Sequence, residues 1–149
     1  MVIDTTIIVS RVQQAAAQEV RRQADAGSGS TYLDGFVTGK DTQPIREDII
    51  AAISDLGSAI SPASIQSAEE GNTLISIMFD DVFAVLNNVS AITKAIEDYV
   101  ANYCCARWLE LHGGGEVAVK RYDTMCANTY NKLPRLVAHH LYDRNTHAE

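Results

Sequence analysis

The sequence predicts a mainly α fold: a four-helix antiparallel bundle with a short β insertion and a short C-terminal helix. Three observations predict it. Ser90–Leu111 places Ile92, Ile96, Tyr99, Tyr103, Cys104, Trp108 and Leu111 at three- and four-residue spacing, the period of one helix face. Segments 5–25, 44–60 and 116–133 repeat that period. Only residues 73–79, TLISIMF, depart from it, as a short apolar run rich in isoleucine that favours a strand.

The first helix, 5–25, carries Ile8, Val12, Ala15, Ala16 and Val20 on one side and Gln13, Gln14, Gln18, Arg21 and Arg22 on the other. Its alanines raise helix propensity but add little bulk, so another helix can approach closely, from the same chain or from a neighbouring subunit. Residues 26–43 read as a mobile loop, with Gly27, Gly29, Gly35 and Gly39 spread through it and Tyr32, Leu33, Phe36 and Val37 expected to pin part of it to the body. A phosphate cradle here fails on spacing: GxxxxGK[ST] is absent, and Lys40 is followed by Asp41.

Pro44 suits the first turn of the second helix, where a missing N–H is harmless, and Glu47 and Asp48 suit its positive end. Ile45, Ile49, Ile53, Leu56 and Ile60 mark its buried face before Ser61-Pro62 stops it. Residues 63–72 read as a polar connection. After the strand at 73–79, Asp80-Asp81 breaks the run, and 82–86 can return as a second strand, giving a hairpin insertion over about 73–86.

In the central helix Ser90 is the expected N-cap, and Lys94, Glu97, Asp98, Ala101 and Asn102 form the face suited to solvent or a polar contact. Gly113-Gly114-Gly115 ends it, and this short link predicts an antiparallel hairpin with the next helix. That helix has an inner stripe of Val119, Tyr122, Cys126, Thr129, Tyr130 and Leu133. Pro134 is expected to kink or restart it, leaving Leu136, Val137, His140 and Leu141 on a separate short helix before a polar tail.

The 149 residues fit one domain, 1–149, and 46% hydrophobic with 21% charged residues is a globular rather than a disordered balance. A net charge of −7 without a lysine or arginine run argues against a surface that grips DNA, though not against DNA passing nearby. No apolar run approaches the ~20 residues that cross a bilayer, and MVIDTTIIVSRV lacks the pattern of a secretory signal. Cys104, Cys105 and Cys126 are odd in number and two are adjacent on a helix, so they read as reduced, buried hydrophobes rather than a disulfide framework.

No catalytic signature emerges, and no cofactor is expected. His139, His140, Asp143 and His147 superficially resemble metal ligands, but no HExxH or paired motif supports them, so no metal is expected. Asp80 and Asp81 read as solvated turn residues. Cys104 and His112 lie two helical turns apart, too far for the imidazole to activate the thiol. Trp108 and its neighbouring tyrosines read as core, with Ile92, Ile96, Tyr99, Tyr103, Tyr122 and Tyr130.

The C-terminal half carries a resemblance. ISIMFDDVF, AITKAIEDYVANYCCARWLEL, GGGEVAVKRYDTMCANTYNKL and RLVAHHLYDR follow one another, with Asp80, Tyr99, Tyr103, Trp108, Leu109, Tyr122, Tyr130, Leu141, Tyr142 and Arg144 as the spaced positions. This order resembles small structural proteins of tailed phages and prophages, those of Bacteroides-type hosts especially, and within them head–tail connector (adaptor) proteins. The resemblance implies a virion protein, not an enzyme. It implies a ring of identical subunits, often dodecameric, that joins the portal protein to the tail or further neck proteins. DNA would pass through its acidic lumen without specific binding, with no membrane involved and assembly in the bacterial cytoplasm. Residues 135–149 would be the docking segment, through Arg135, Leu136, His139, His140, Leu141, Tyr142 and Arg144, and the strand at 73–79 would pair with the next subunit. Pro134 and the loop 26–43 have no counterpart in that pattern. The other expectations, in order, are another neck or tail-completion protein, a small helical adaptor of the host cell with a pocket or groove around Trp108, and last a metal-dependent hydrolase using His139, His140 and Asp143.

Overall fold

Helical periodicity translates directly into the architecture. The computed structural model describes residues 2–25, 42–57, 63–67, 74–79 and 90–146, with side chains at all of these except 63–67, 76–79, 90 and 139–146. The elements are β1 (Val2–Asp4), α1 (Thr5–Asp25), α2 (Thr42–Leu56), β2 (Ala63–Ser67), β3 (Leu74–Phe79), α3 (Ser90–Leu111) and α4 (Glu116–Thr146). The chain is mainly helical, and α1, α2 and α4 each pack on α3.

The position of α3 among three helices explains its burial pattern. Ile92, Ile96, Tyr99 and Trp108 are buried as expected, and Tyr103, Tyr122 and Tyr130 pack against the same cluster. On the face expected to meet solvent or a polar contact, Ala101 and Asn102 are also buried. A helix enclosed on several sides has no single wet face. Leu111, assigned to the core stripe, is instead 66% exposed, because it lies at the end of α3 where no neighbour covers it.

The strands differ from expectation more than the helices do. Residues 63–67, read as a polar connection, form β2, and Val2–Asp4 form β1. Both pair antiparallel with β3, giving a three-stranded sheet of order β1-β3-β2. The strand expected to seek a partner in another subunit is thus the centre of a sheet within its own chain. In the register Ile3 faces Ile75 and both are buried, while Val2 and Leu74 on either side are exposed. That two-residue alternation seats one face of the sheet in the core. The return strand proposed at 82–86, the loop up to residue 41, Ile60 and the Asp80-Asp81 pair lie outside the described residues.

Asp4 joins β1 to α1. Its Oδ1 accepts from the Thr6 amide at 2.9 Å and from the Thr6 hydroxyl at 2.6 Å, satisfying a free donor of the first helical turn. α2 begins at Thr42, so Pro44 still falls in its first turn, and the described helix ends at Leu56, before Gly57. α3 and α4 form the expected antiparallel hairpin: the Tyr99 and Tyr130 rings lie 6.0 Å apart, and the Cys126 thiol faces the Tyr99 carbonyl. α4 corrects a further expectation. It runs as one 31-residue helix through Pro134, so there is no separate short C-terminal helix. Leu133 and Val137 on either side of the proline are both buried, and that packing holds the helix through a residue that cannot donate its backbone hydrogen bond.

Candidate functional site

Because α1 and α4 both lie against α3, a groove remains between them with α3 as its floor. One compartment, of about 180 Å³, is lined by Arg11, Gln14, Gln18, Asn102, Cys105 and Tyr122 among others. A second, of about 300 Å³, is lined by Asp98, Asn128, Thr129 and Lys132 together with Arg11, Asn102 and Met125, which the two compartments share. Arg11 of α1 reaches Asp98 of α3 at 2.8 Å, a half-exposed ion pair that fixes the guanidinium at the junction. The floor is less settled: Asn102 is 3% exposed and its Oδ1 has no hydrogen-bond partner among the described residues. A buried amide oxygen left unpaired is unfavourable, and such groups stand out against the usual near-complete pairing.

At the end of α1, a second polar cluster clamps the α3–α4 turn. The Glu19 carboxylate is buried and accepts from the Arg22 guanidinium at 2.6 and 2.9 Å, from the Gln23 amide at 3.3 Å and from the Gly115 N–H at 3.0 Å. Gln23 also donates to the Gly113 carbonyl at 3.3 Å. The bonds from Arg22 outweigh burial and hold the Glu19 carboxyl below its ordinary pKa. Gly113 and Gly114 are required for different reasons, whereas a Cβ at Gly115 meets only the ends of the Arg22 and Glu19 side chains. Gly113 has φ +79°, the left-handed conformation that ends α3, and Gly114 N–H closes the turn onto the Leu109 carbonyl at 2.7 Å. A Cβ at Gly114 would sit 2.6 Å from Leu109 Cβ, and one at Gly115 would sit 2.5 Å from an Arg22 nitrogen.

The residues singled out by sequence separate in space. Cys104, Cys105 and Cys126 are buried and free, and burial pushes the Cys105 and Cys126 thiols up to about 12 and Cys104 up as well. Such thiols are poor nucleophiles. His112 stacks on Trp108 with ring centroids 4.2 Å apart and its Nδ1 lies 2.8 Å from the Trp108 carbonyl. Trp108 lines neither compartment of the groove. Arg135 and Leu136 are exposed on α4, whereas His139, His140, Leu141, Tyr142, Asp143 and Arg144 belong to the same helix with side chains outside the described set, as is His147. Among the described residues, no group of three or more His, Cys, Asp or Glu is placed to hold a metal, and no helix is long and apolar enough to cross a membrane.

Sequence reading missed the groove. Asn102 stands on the face suited to solvent or a polar contact, and Arg11, Met125 and Lys132 carry no motif. Glu19 and Gln23 did leave a signal: they continue the stripe of Val12, Ala15 and Ala16 at helical spacing, a polar pair on an apolar face. No protein-family model, curated protein or solved structure matches this chain.

Proposed function

We propose that the chain is a virion structural protein that forms a ring, a dodecamer by its resemblance, at the neck of a tailed phage. In this reading it joins the portal protein to the tail or further neck proteins, encloses the exit path of the DNA, and assembles in the host cytoplasm. The observation that carries the proposal is the length mismatch of the hairpin. At about 1.5 Å per residue, the 22 residues of α3 span about 33 Å and the 31 of α4 about 46 Å. With Tyr99 against Tyr130, the start of α3 is level with the region of Val137. The remaining turns of α4 run past the hairpin as a continuous arm, the form a docking segment needs. The net charge of −7 supports a lumen that DNA does not adhere to.

The arm also moves the boundary of the docking segment. Residues 135–149 include Val137, which belongs to the core, so the docking segment is placed after Ala138. Native mass spectrometry of the full chain, alone and mixed with a candidate portal protein, tests the proposal. A ring-sized species that disappears when 139–149 are deleted, with the helical circular dichroism retained, is the expected result. A truncated chain that still joins the portal refutes the arm as the docking element, and a monomer or dimer in every mixture favours a host adaptor.

A further inference from the structure

α4 carries two helical stripes, and one of them packs inside the chain: Ala118, Tyr122, Cys126, Leu133 and Val137 are buried or half-buried against α3. One residue before each of these stand Val117, Arg121, Met125, Lys132 and Leu136, with Asn128 between Met125 and Lys132, and all six are exposed. Their spacing of three and four residues keeps them on one face, the pattern by which a helix docks on another helix. Val117, Met125 and Leu136 are the large apolar side chains that α4 exposes among the described residues. Arg121 and Lys132, interleaved with them, have no ion pair among the described residues. The carboxylates of the same helix stand elsewhere. Glu116 and Asp123, fourteen and seven residues before Tyr130, share the flank on which Tyr130 meets Tyr99.

That tyrosine flank is acidic. α2 presents Glu47, Ala51 and Asp55 at four-residue spacing, all exposed, and its one cation, Arg46, is buried. Asp48 beside them lies 3.9 Å from Arg107 of α3. Burial, and after it the Asp55 carboxylate, raises the pKa of Tyr99 and Tyr103, so Asp55 acts on the tyrosine side of α3. The cationic stripe is on the other side of α4, where Met125 and Lys132 border the groove with Arg11 of α1. We infer that these two flanks are the halves of one head-to-tail contact between copies of the chain. The Glu47, Ala51 and Asp55 stripe of one copy docks on the Arg121, Met125 and Lys132 stripe of the next, carboxylates against cations and the small Ala51 against Met125. Glu47 to Asp55 spans about 12 Å and Arg121 to Lys132 about 17 Å, a difference that the long arginine and lysine stems cover. Complementary patches on different flanks of one subunit make a heterologous contact, which closes a ring or extends a filament. The inference rests on the ring reading and supplies its subunit interface.

Sedimentation velocity of the full chain at about 0.01 M and about 1 M salt, between which the screening length falls from about 30 to about 3 Å, tests the contact. Self-association at low salt, at least about tenfold weaker at high salt, is expected. Arg121→Glu with Lys132→Glu makes both flanks acidic, and Glu47→Lys with Asp55→Lys makes both cationic. Each double variant is expected to be monomeric with its helical circular dichroism unchanged, since all four side chains are exposed. An equimolar mixture of the two variants is expected to associate again, because every flank then meets its opposite charge, and that recovery excludes misfolding. A chain that stays monomeric at about 1 mM in low salt overturns the contact, as does a mixture that fails to associate when the unaltered chain does. The ring reading is judged apart from this. A ring that both variants still form on a portal protein overturns the contact and keeps the ring, whereas association restored in the mixture only as open chains keeps the contact and overturns the ring.

Discussion

Glu19 shows how one side chain ties two distant parts of the chain together. Its carboxylate joins α1 to the turn that begins α4, ninety-six residues on. Because Arg22 and the Gly115 N–H hold its folded pKa below the ordinary value, the folded state binds fewer protons than the unfolded chain in the acid range. Its contribution is therefore complete above the ordinary glutamate pKa, about 4.3, and is lost as pH falls through the lower folded value. Glu19→Gln is expected to destabilise the protein by about 2 kcal/mol at neutral pH, the scale of hydrogen bonds to a charged group. The gap from the unaltered protein should close as pH drops below about 4. Thermal melts of both proteins between neutral and acid pH measure this, with Asp4 and Asp48 shifting alike in each. A constant gap at all pH values contradicts a charged Glu19. At this scale the sequence was only half legible: Glu19 stood on the apolar stripe and could have been seen, whereas the burial of Asn102 depends on neighbours brought from α1 and α4.

At the scale of elements, α4 and the sheet pull local preference in opposite directions. Pro134 opposes helix by roughly 3 kcal/mol relative to alanine. Leu133 and Val137 flank it in the core, and the exposed proline ring faces outward from a helix that continues to Thr146. Pro134→Ala is accordingly expected to stabilise the protein by about 1–3 kcal/mol, or several degrees in melting temperature. An unchanged or lower melting temperature means that the proline geometry is required by α4. The isoleucine-rich β3 was legible because its composition is its own. β1, at three residues, was not, because so short a strand exists only through its pairing with β3.

At the scale of the whole molecule, a single cluster of buried residues joins the sheet to all four helices, with the three thiols inside it. Burial raises the pKa of each thiol, so in the native protein at about pH 8 a disulfide reagent should find almost no thiolate. Labelling is expected to be negligible over minutes in native buffer and to reach all three cysteines in guanidinium. One thiol that reacts rapidly under native conditions indicates a local opening of the α3–α4 pair, since Cys104, Cys105 and Cys126 all lie there.

The sequence by itself determined the helices, the glycine turn and most of the core, because hydrophobic period and glycine conformation are local properties that each segment carries alone. Only the tertiary structure decided that β3 is paired on both sides, that α4 passes through Pro134, and that Asn102 lies on the floor of a groove. Each of these depends on which surfaces meet across long stretches of chain. Such contacts outweigh local preference when burial on both sides of a residue exceeds what its own propensity opposes.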